Sequence, residues 1–168
     1  MAKIRVLSVR QPYADDIIYG TKWQELRSRA TPYRGDIYIH ASRWASGGDR
    51  ESPGPGEIGA IIGRVTLVDC LADIDLRTVG AYLFKGKRLP TAYEPLAKYL
   101  KSLPEHSWRE SSAPVHWLVF DPRPLVKPVK MLGKLNLWNA KIDGRSLKCG
   151  PCVARPKRPD PAKYPFVD

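Results

Sequence analysis

The sequence predicts an α+β domain, a small mixed β-barrel flanked by short helices. Three observations carry that expectation. Two-residue alternation recurs in several short runs. The cleanest is residues 36–42, with Ile37, Ile39 and Ala41 on one face and Tyr38, His40 and Ser42 on the other. Helical spacing is confined to a few pieces between those runs. The 168 residues, 43% of them hydrophobic, suffice for one core with a tail. Five to seven strands with a few helices between them favour a barrel over a doubly wound sheet.

Residues 4–9 read as the first strand, with Ile4, Val6 and Ser8 opposite Arg5, Leu7 and Val9. Pro12 suits the first turn of a helix, where the proton it lacks has no partner to lose. Tyr13, Ala14, Ile17 and Ile18 then share a helical face, and Asp15 and Asp16 suit the positive end of the helix dipole. Gly20 ends the helix. The chain next runs extended, which puts Trp23, Glu25 and Arg27 on one face and leaves Lys22 at the junction.

Residues 32–35 form a turn. The 36–42 strand follows, then a glycine-rich loop over 43–59. Gly54-Pro55-Gly56-Glu57-Ile58-Gly59 has the letters of a dinucleotide fingerprint, but it follows a loop and leads into a strand, so that reading fails. Residues 58–71 read as a buried strand with a bulge at Gly63. Residues 73–89 fit a helix or a lid loop, and 93–103 a helix ended by Pro104. A strand is expected over 115–120, a turn over 121–125, and short strands over 127–131 and 135–138.

The formal net charge is +11, which favours an anionic partner, nucleic acid first among them. From 141 to 163 the chain carries a net +5 and four prolines, while the rest keeps +6. The division is therefore a domain over 1–140 and a basic, proline-containing tail over 141–168. Cys70, Cys149 and Cys152 are too few for a disulfide framework, which fits a reducing cytoplasmic compartment. Cys149-Gly150-Pro151-Cys152 lacks the βαβ setting of a redox motif, and no histidine follows at a zinc-site spacing. No metal, cofactor or membrane partner is expected.

Gly20-x-Lys22-x-x-Glu25-x-Arg27 after a helix resembles the signature of the ASCH family, related to PUA domains. Ser8-Val9-Arg10-Gln11-Pro12-Tyr13-Ala14 looks like the family's lead-in, and Tyr33-Arg34-Gly35 before Ile39-His40-Ala41-Ser42 like its next strand. Trp117 to Leu125 and Gly133 to Asn139 are similar to closing segments of bacterial members. The resemblance spans roughly residues 4–140. It implies a PUA-like barrel with the signature residues at a cleft. It also implies RNA or wider nucleic-acid binding, and, for some bacterial members, hydrolysis of acetylated cytidine or of RNA. Fold likeness alone does not choose among these.

Lys22 could hold a phosphate or, if desolvated, serve as a base; the bland alternative is a solvated lysine. Glu25 and Arg27 either serve the cleft or simply pair with each other. The acetylcytidine hydrolases carry a nucleophilic threonine where this chain has Glu25, which weighs against a threonine mechanism. His40 could act in acid–base chemistry, against the commoner outcome of a satisfied, partly buried histidine. Lys22, Glu25 and His40 are thus the catalytic candidates. Arg10, Tyr13, Lys22, Arg27, Arg34, Ser42, Trp44 and His116 are the nucleic-acid-contact candidates, Tyr13 and Trp44 because they lie near the signature and in the adjacent loop and unstacked bases stack on aromatics.

The sequence therefore reads as a nucleic-acid-binding ASCH-type domain, with RNA favoured over single-stranded DNA. The competing reading is a small metal-independent hydrolase of RNA or of a modified nucleoside. A third is an adaptor whose basic surface makes protein contacts.

Overall fold

Strand β1 (Ala2–Gln11) organises the chain, because it has a partner on each side. The computed structural model describes residues 1–19, 22, 24–45, 51–72 and 113–152. The chain divides into two units. The first comprises Met1–Lys22, Tyr33–Val68 and Val119–Arg155; the second comprises Trp23–Pro32, Asp69–Leu118 and Pro156–Asp168. The expected helix over 93–103 and the ambiguous stretch over 73–89 lie outside the described residues.

In the first unit β1 runs parallel to β3 (Gly35–Trp44), with Val6 opposite Tyr38 and Arg10 opposite Ser42. A parallel pair needs a crossover, and the connection contains helix α1 (Tyr13–Ile18). The buried Ala14, Ile17 and Ile18 of α1 pack on β1 and β3. That covers the face bearing Leu7, Val9, Ile39 and Ala41, as their two-residue spacing requires. Along its other edge β1 pairs with the antiparallel strand β6 (Leu137–Ile142), with Val6 opposite Trp138 and Ile4 opposite Ala140, and these four share the opposite face of the sheet. There Val6, Ile61, Leu125, Trp138, Ala140, Ile142 and Leu147 form one buried cluster.

Strand β4 (Ala60–Ala72) pairs antiparallel with β3, and its register shifts between Ile39 and His40 opposite Gly63, the expected bulge. Gly63 has a steric role too: a Cβ there would sit 2.9 Å from the Arg123 carbonyl oxygen. Strand β5 (Val115–Lys130) is one long strand where the sequence suggested a strand, a turn and another strand. The Val126 N–H bonds the Lys148 carbonyl at 2.9 Å, so even-numbered N–H groups point to that side. Pro122, Pro124 and Pro128 delete donors only there, where residues 148–150 alone are described alongside. Asp121 absorbs the irregularity with a φ of 50°.

In the second unit, β2 (Gln24–Arg27) pairs antiparallel with the first four residues of β5. The strand order is β2-β5-β4-β3-β1-β6. An order with two ends is an open sheet, so the expected closed barrel is corrected to a mostly β architecture with few helices. Alternation reveals strands but not whether the first strand meets the last.

The 141–152 stretch, read from composition as tail, lies on the first unit. Lys141 and Ile142 complete β6, a 3-10 turn spans Gly144–Leu147, and Leu147 is buried. No helix among the described residues is long and apolar enough to cross a membrane.

Candidate nucleic-acid interface

Five of the residues singled out by sequence gather where β1 and β3 end. Arg10 and Ser42 are register partners in a parallel pair and so share a sheet face. Next along, Gln11 pairs with Trp44, and the Ala45 N–H bonds the Gln11 carbonyl at 2.8 Å. Tyr13 follows immediately at the start of α1. The Lys22 N–H bonds the Asp16 carbonyl at 3.2 Å, which turns the chain back onto the helix. The Lys22 Nζ then lies 4.8 Å from the Tyr13 ring centroid, a cation–π contact. Tyr13 is 44% exposed and Trp44 39%, unusual for large aromatics with a core available. Arg10 is exposed and has no carboxylate partner among the described residues.

A clamp beneath this edge was invisible as such in the sequence. Asp15 is fully buried. Its carboxylate accepts from Gln11 Nε2 at 2.9 Å, Ser52 Oγ at 2.6 Å and the Gly56 N–H at 2.7 Å. Gln11 in turn accepts from the Asp15 N–H at 3.1 Å and donates to the Glu57 carbonyl at 2.8 Å. The loop over 52–57 is therefore tied to α1 by a buried polar network. It is packed tightly: a Cβ on Gly54 would stand 2.7 Å from Asp15 Oδ2, and one on Gly56 would stand 3.4 Å from Trp44 Cζ2. Burial, then the Asp15 and Glu57 charges, raise the Tyr19 hydroxyl above its ordinary pKa. The four-residue spacing of Gln11 and Asp15 around Pro12 was the available signal.

The second unit holds Glu25, Arg27 and His116. Glu25 and Arg27 point the same way from β2 and pair at 3.2 Å, with side chains 10% and 19% exposed. The Arg27 guanidinium also lies 5.9 Å from the Trp117 ring, and Trp117 donates to the Arg29 carbonyl at 2.9 Å. Glu25 and Trp117 are cross-strand partners, so this is a packed ion pair against an aromatic. His116 is fully buried, with Nδ1 3.0 Å from Gln24 Oε1.

His40 is enclosed in the first unit at 2% exposure. Its Nε2 lies 3.1 Å from the Met131 carbonyl, and its ring meets Trp138 edge-on at 6.1 Å. A Cβ on Gly133 would stand 2.7 Å from His40 Nδ1, so the strap over 131–134 lies directly on the imidazole. Both imidazoles are thus buried, His40 in the first unit and His116 in the second. Arg34 is exposed at the opposite end of β3 from Ser42 and donates to the Tyr33 carbonyl at 2.8 Å. The structure does not bring it to the Arg10 edge.

The ASCH domain family model matches residues 7–122. The chain belongs to the ASCH family. Human activating signal cointegrator 1 is 26% identical over 155 residues, covering 83% of this chain but 22% of that protein. The chain thus spans about a fifth of that relative's length. Among solved structures, the ASCH protein of Zymomonas mobilis is 19% identical with a TM-score of 0.41, over 75% of this chain and 72% of that one. A tyrosine-to-phenylalanine variant of that protein has the same identity and TM-score, over 77% and 76%.

In this ASCH chain the signature residues fall in two settings. Lys22 belongs to the first unit, against Tyr13, whereas Glu25 and Arg27 belong to the second, against Trp117. No cluster of three or more His, Cys, Asp or Glu side chains suited to a metal occurs among the described residues.

Proposed function

We propose that this ASCH domain binds single-stranded nucleic acid, RNA in preference to DNA, through the edge formed by Arg10, Tyr13, Lys22, Ser42 and Trp44. One observation carries the reading: two exposed aromatic rings stand beside two cations at the ends of paired strands, in a chain of net charge +11. An unstacked base gains about 1–3 kcal/mol on an aromatic platform, whereas the bases of a duplex are already stacked. Arg10 and Lys22 supply the phosphate contacts, and Ser42 a hydroxyl for hydrogen bonding. The Asp15 clamp holds the loop against Trp44, so the platform is pre-set rather than assembled on binding. In this reading residues 1–140 carry recognition, 141–168 add positive charge, and the protein works in the cytoplasm, where the thiols of Cys70, Cys149 and Cys152 stay reduced.

The test is fluorescence anisotropy with labelled oligouridine and its deoxy counterpart. Trp44→Ala is expected to weaken binding by about 5- to 100-fold, and an Arg10→Ala/Lys22→Ala pair to weaken it and flatten its salt dependence. Affinity unchanged in both variants removes this edge as the binding surface.

A further inference from the structure

A second polar groove lies on the first unit, away from the Arg10 edge. It encloses about 360 Å³ and is lined by Lys3, Ile4, Arg5, Tyr33, Asp36, Tyr38 and Asn139. Its origin is a mismatch of ladders. Strand β1 starts at Ala2 and β3 at Gly35, yet their pairing starts only at Val6 opposite Tyr38. Residues 2–5 of β1 have register partners on β6 and none on β3. The strands part, and the groove lies in the parting.

The charges there are arranged at a cost. Lys3 and Arg5 share a strand face. Their register partners on β6 are Lys141 and Asn139, so Lys3 stands directly across from Lys141. Like charges directly opposite each other destabilise a sheet. Among the described residues no carboxylate pairs with Lys3, Arg5 or Lys141. The one acid lining the groove is already engaged: Asp36 accepts from Arg64 at 2.7 Å and from Thr66 at 3.1 Å. Arg5 instead lies 5.3 Å from the Tyr33 ring centroid, extending an aromatic surface into a cationic one. Three cations with no carboxylate partner among the described residues, beside Tyr33 and an amide, match a phosphodiester with an unstacked base.

We propose that this groove is a second contact for the same single-stranded RNA. Lys3, Arg5 and Lys141 hold backbone phosphates, the Tyr33–Arg5 surface stacks a base, and Asn139 hydrogen-bonds a base edge. The proposal rests on the reading of the domain as a single-strand binder. It makes recognition bipartite, with one contact at each end of β1. The extended strand from Arg5 to Arg10 separates the two by about 17 Å, so short oligonucleotides reach one contact and long ones reach both.

The experiment compares wild type with two variants, Lys3→Ala/Arg5→Ala/Lys141→Ala and Arg10→Ala/Lys22→Ala, after circular dichroism has shown native spectra. Binding of oligouridines of about four and about sixteen nucleotides is followed against salt. In the groove variant the log–log salt slope for the long oligomer is expected to fall by about 0.7 per lost phosphate contact, roughly 2 in all. A wild type that binds, with a groove variant of identical affinity and slope, overturns the groove and leaves the first reading standing. A wild type that binds neither oligomer overturns both.

Discussion

Asp15→Ala tests whether the buried clamp holds the candidate interface in place. The carboxylate is fully buried and receives three hydrogen bonds, from Gln11, Ser52 and the Gly56 N–H. A hydrogen bond to a charged group contributes about 1.5–3 kcal/mol, and a donor left buried without a partner costs about 1–3 kcal/mol. Ser52 and Gly56 lie in a loop that can turn to water once released, whereas the buried Gln11 amide keeps its bonds to the Glu57 carbonyl and the residue-15 N–H and loses one Nε2 partner. The net loss is therefore set at about 3–5 kcal/mol, three such bonds less what the two loop donors regain from water. That is a large part of the roughly 5–15 kcal/mol that holds a domain together. Asp15→Asn keeps the shape and one acceptor but turns an amide N–H toward a donor, so about 2–3 kcal/mol is expected. Urea unfolding at equilibrium reads both values, with the slope checked for change. Losses below about 1 kcal/mol in both variants would refute the clamp.

Gly133→Ala pushes a methyl into the His40 imidazole and lifts the strap that carries the Met131 carbonyl. A loss of about 1–3 kcal/mol in urea unfolding is expected, and full stability contradicts the enclosed histidine. Asp121 accepts from Arg123 at 3.0 Å, which holds its carboxyl below the ordinary range. A lowered folded-state pKa contributes stability that is present above the unfolded value, about 3.9, and is lost as pH falls through that value and below. Asp121→Asn should therefore lower Tm slightly at neutral pH and converge on wild type as pH falls, which flattens the acid limb; superimposable curves contradict it. Burial pushes the Cys149 thiol up, whereas Cys152 is exposed. Iodoacetamide at neutral pH should label Cys152 before Cys149 in peptide mass spectrometry, and the reverse order contradicts the packing of Cys149.

Local pattern made the strands and α1 legible, because burying one face of a strand or helix leaves a period in the sequence. The 36–42 run lies wholly inside β3 (Gly35–Trp44) with the expected faces. Pro12 and the apolar spacing after it placed α1. Asp121-Pro122-Arg123-Pro124 hid the continuity of β5, since proline ordinarily interrupts a ladder. Whether a missing donor matters depends on which side its neighbour lies, and that is a tertiary fact. Closure of the sheet was illegible for a similar reason: strand order is set by pairings far apart in sequence.

At the candidate interface the same division holds. Glu25 and Arg27 were readable as one face of a strand, and they pair. His40 was placed with Tyr38 and Ser42 by alternation, but nothing local announces that residues 131–134 cross over it. Asp15 was read as a partner of the helix dipole, whereas its partners are mainly in a loop some forty residues on. The Lys3 groove depends on the pairing of Lys3 with Lys141, which no window of sequence contains.

Equilibrium binding of labelled single-stranded oligouridine, titrated with salt, tests the central claim most directly. With Arg10 and Lys22 at one contact and Lys3, Arg5 and Lys141 at the other, log K for a long oligomer should fall linearly with log salt at a slope of about −3.5, and duplex RNA should bind more weakly. Binding that ignores salt, or that favours the duplex, would contradict an aromatic and cationic surface built for single strands.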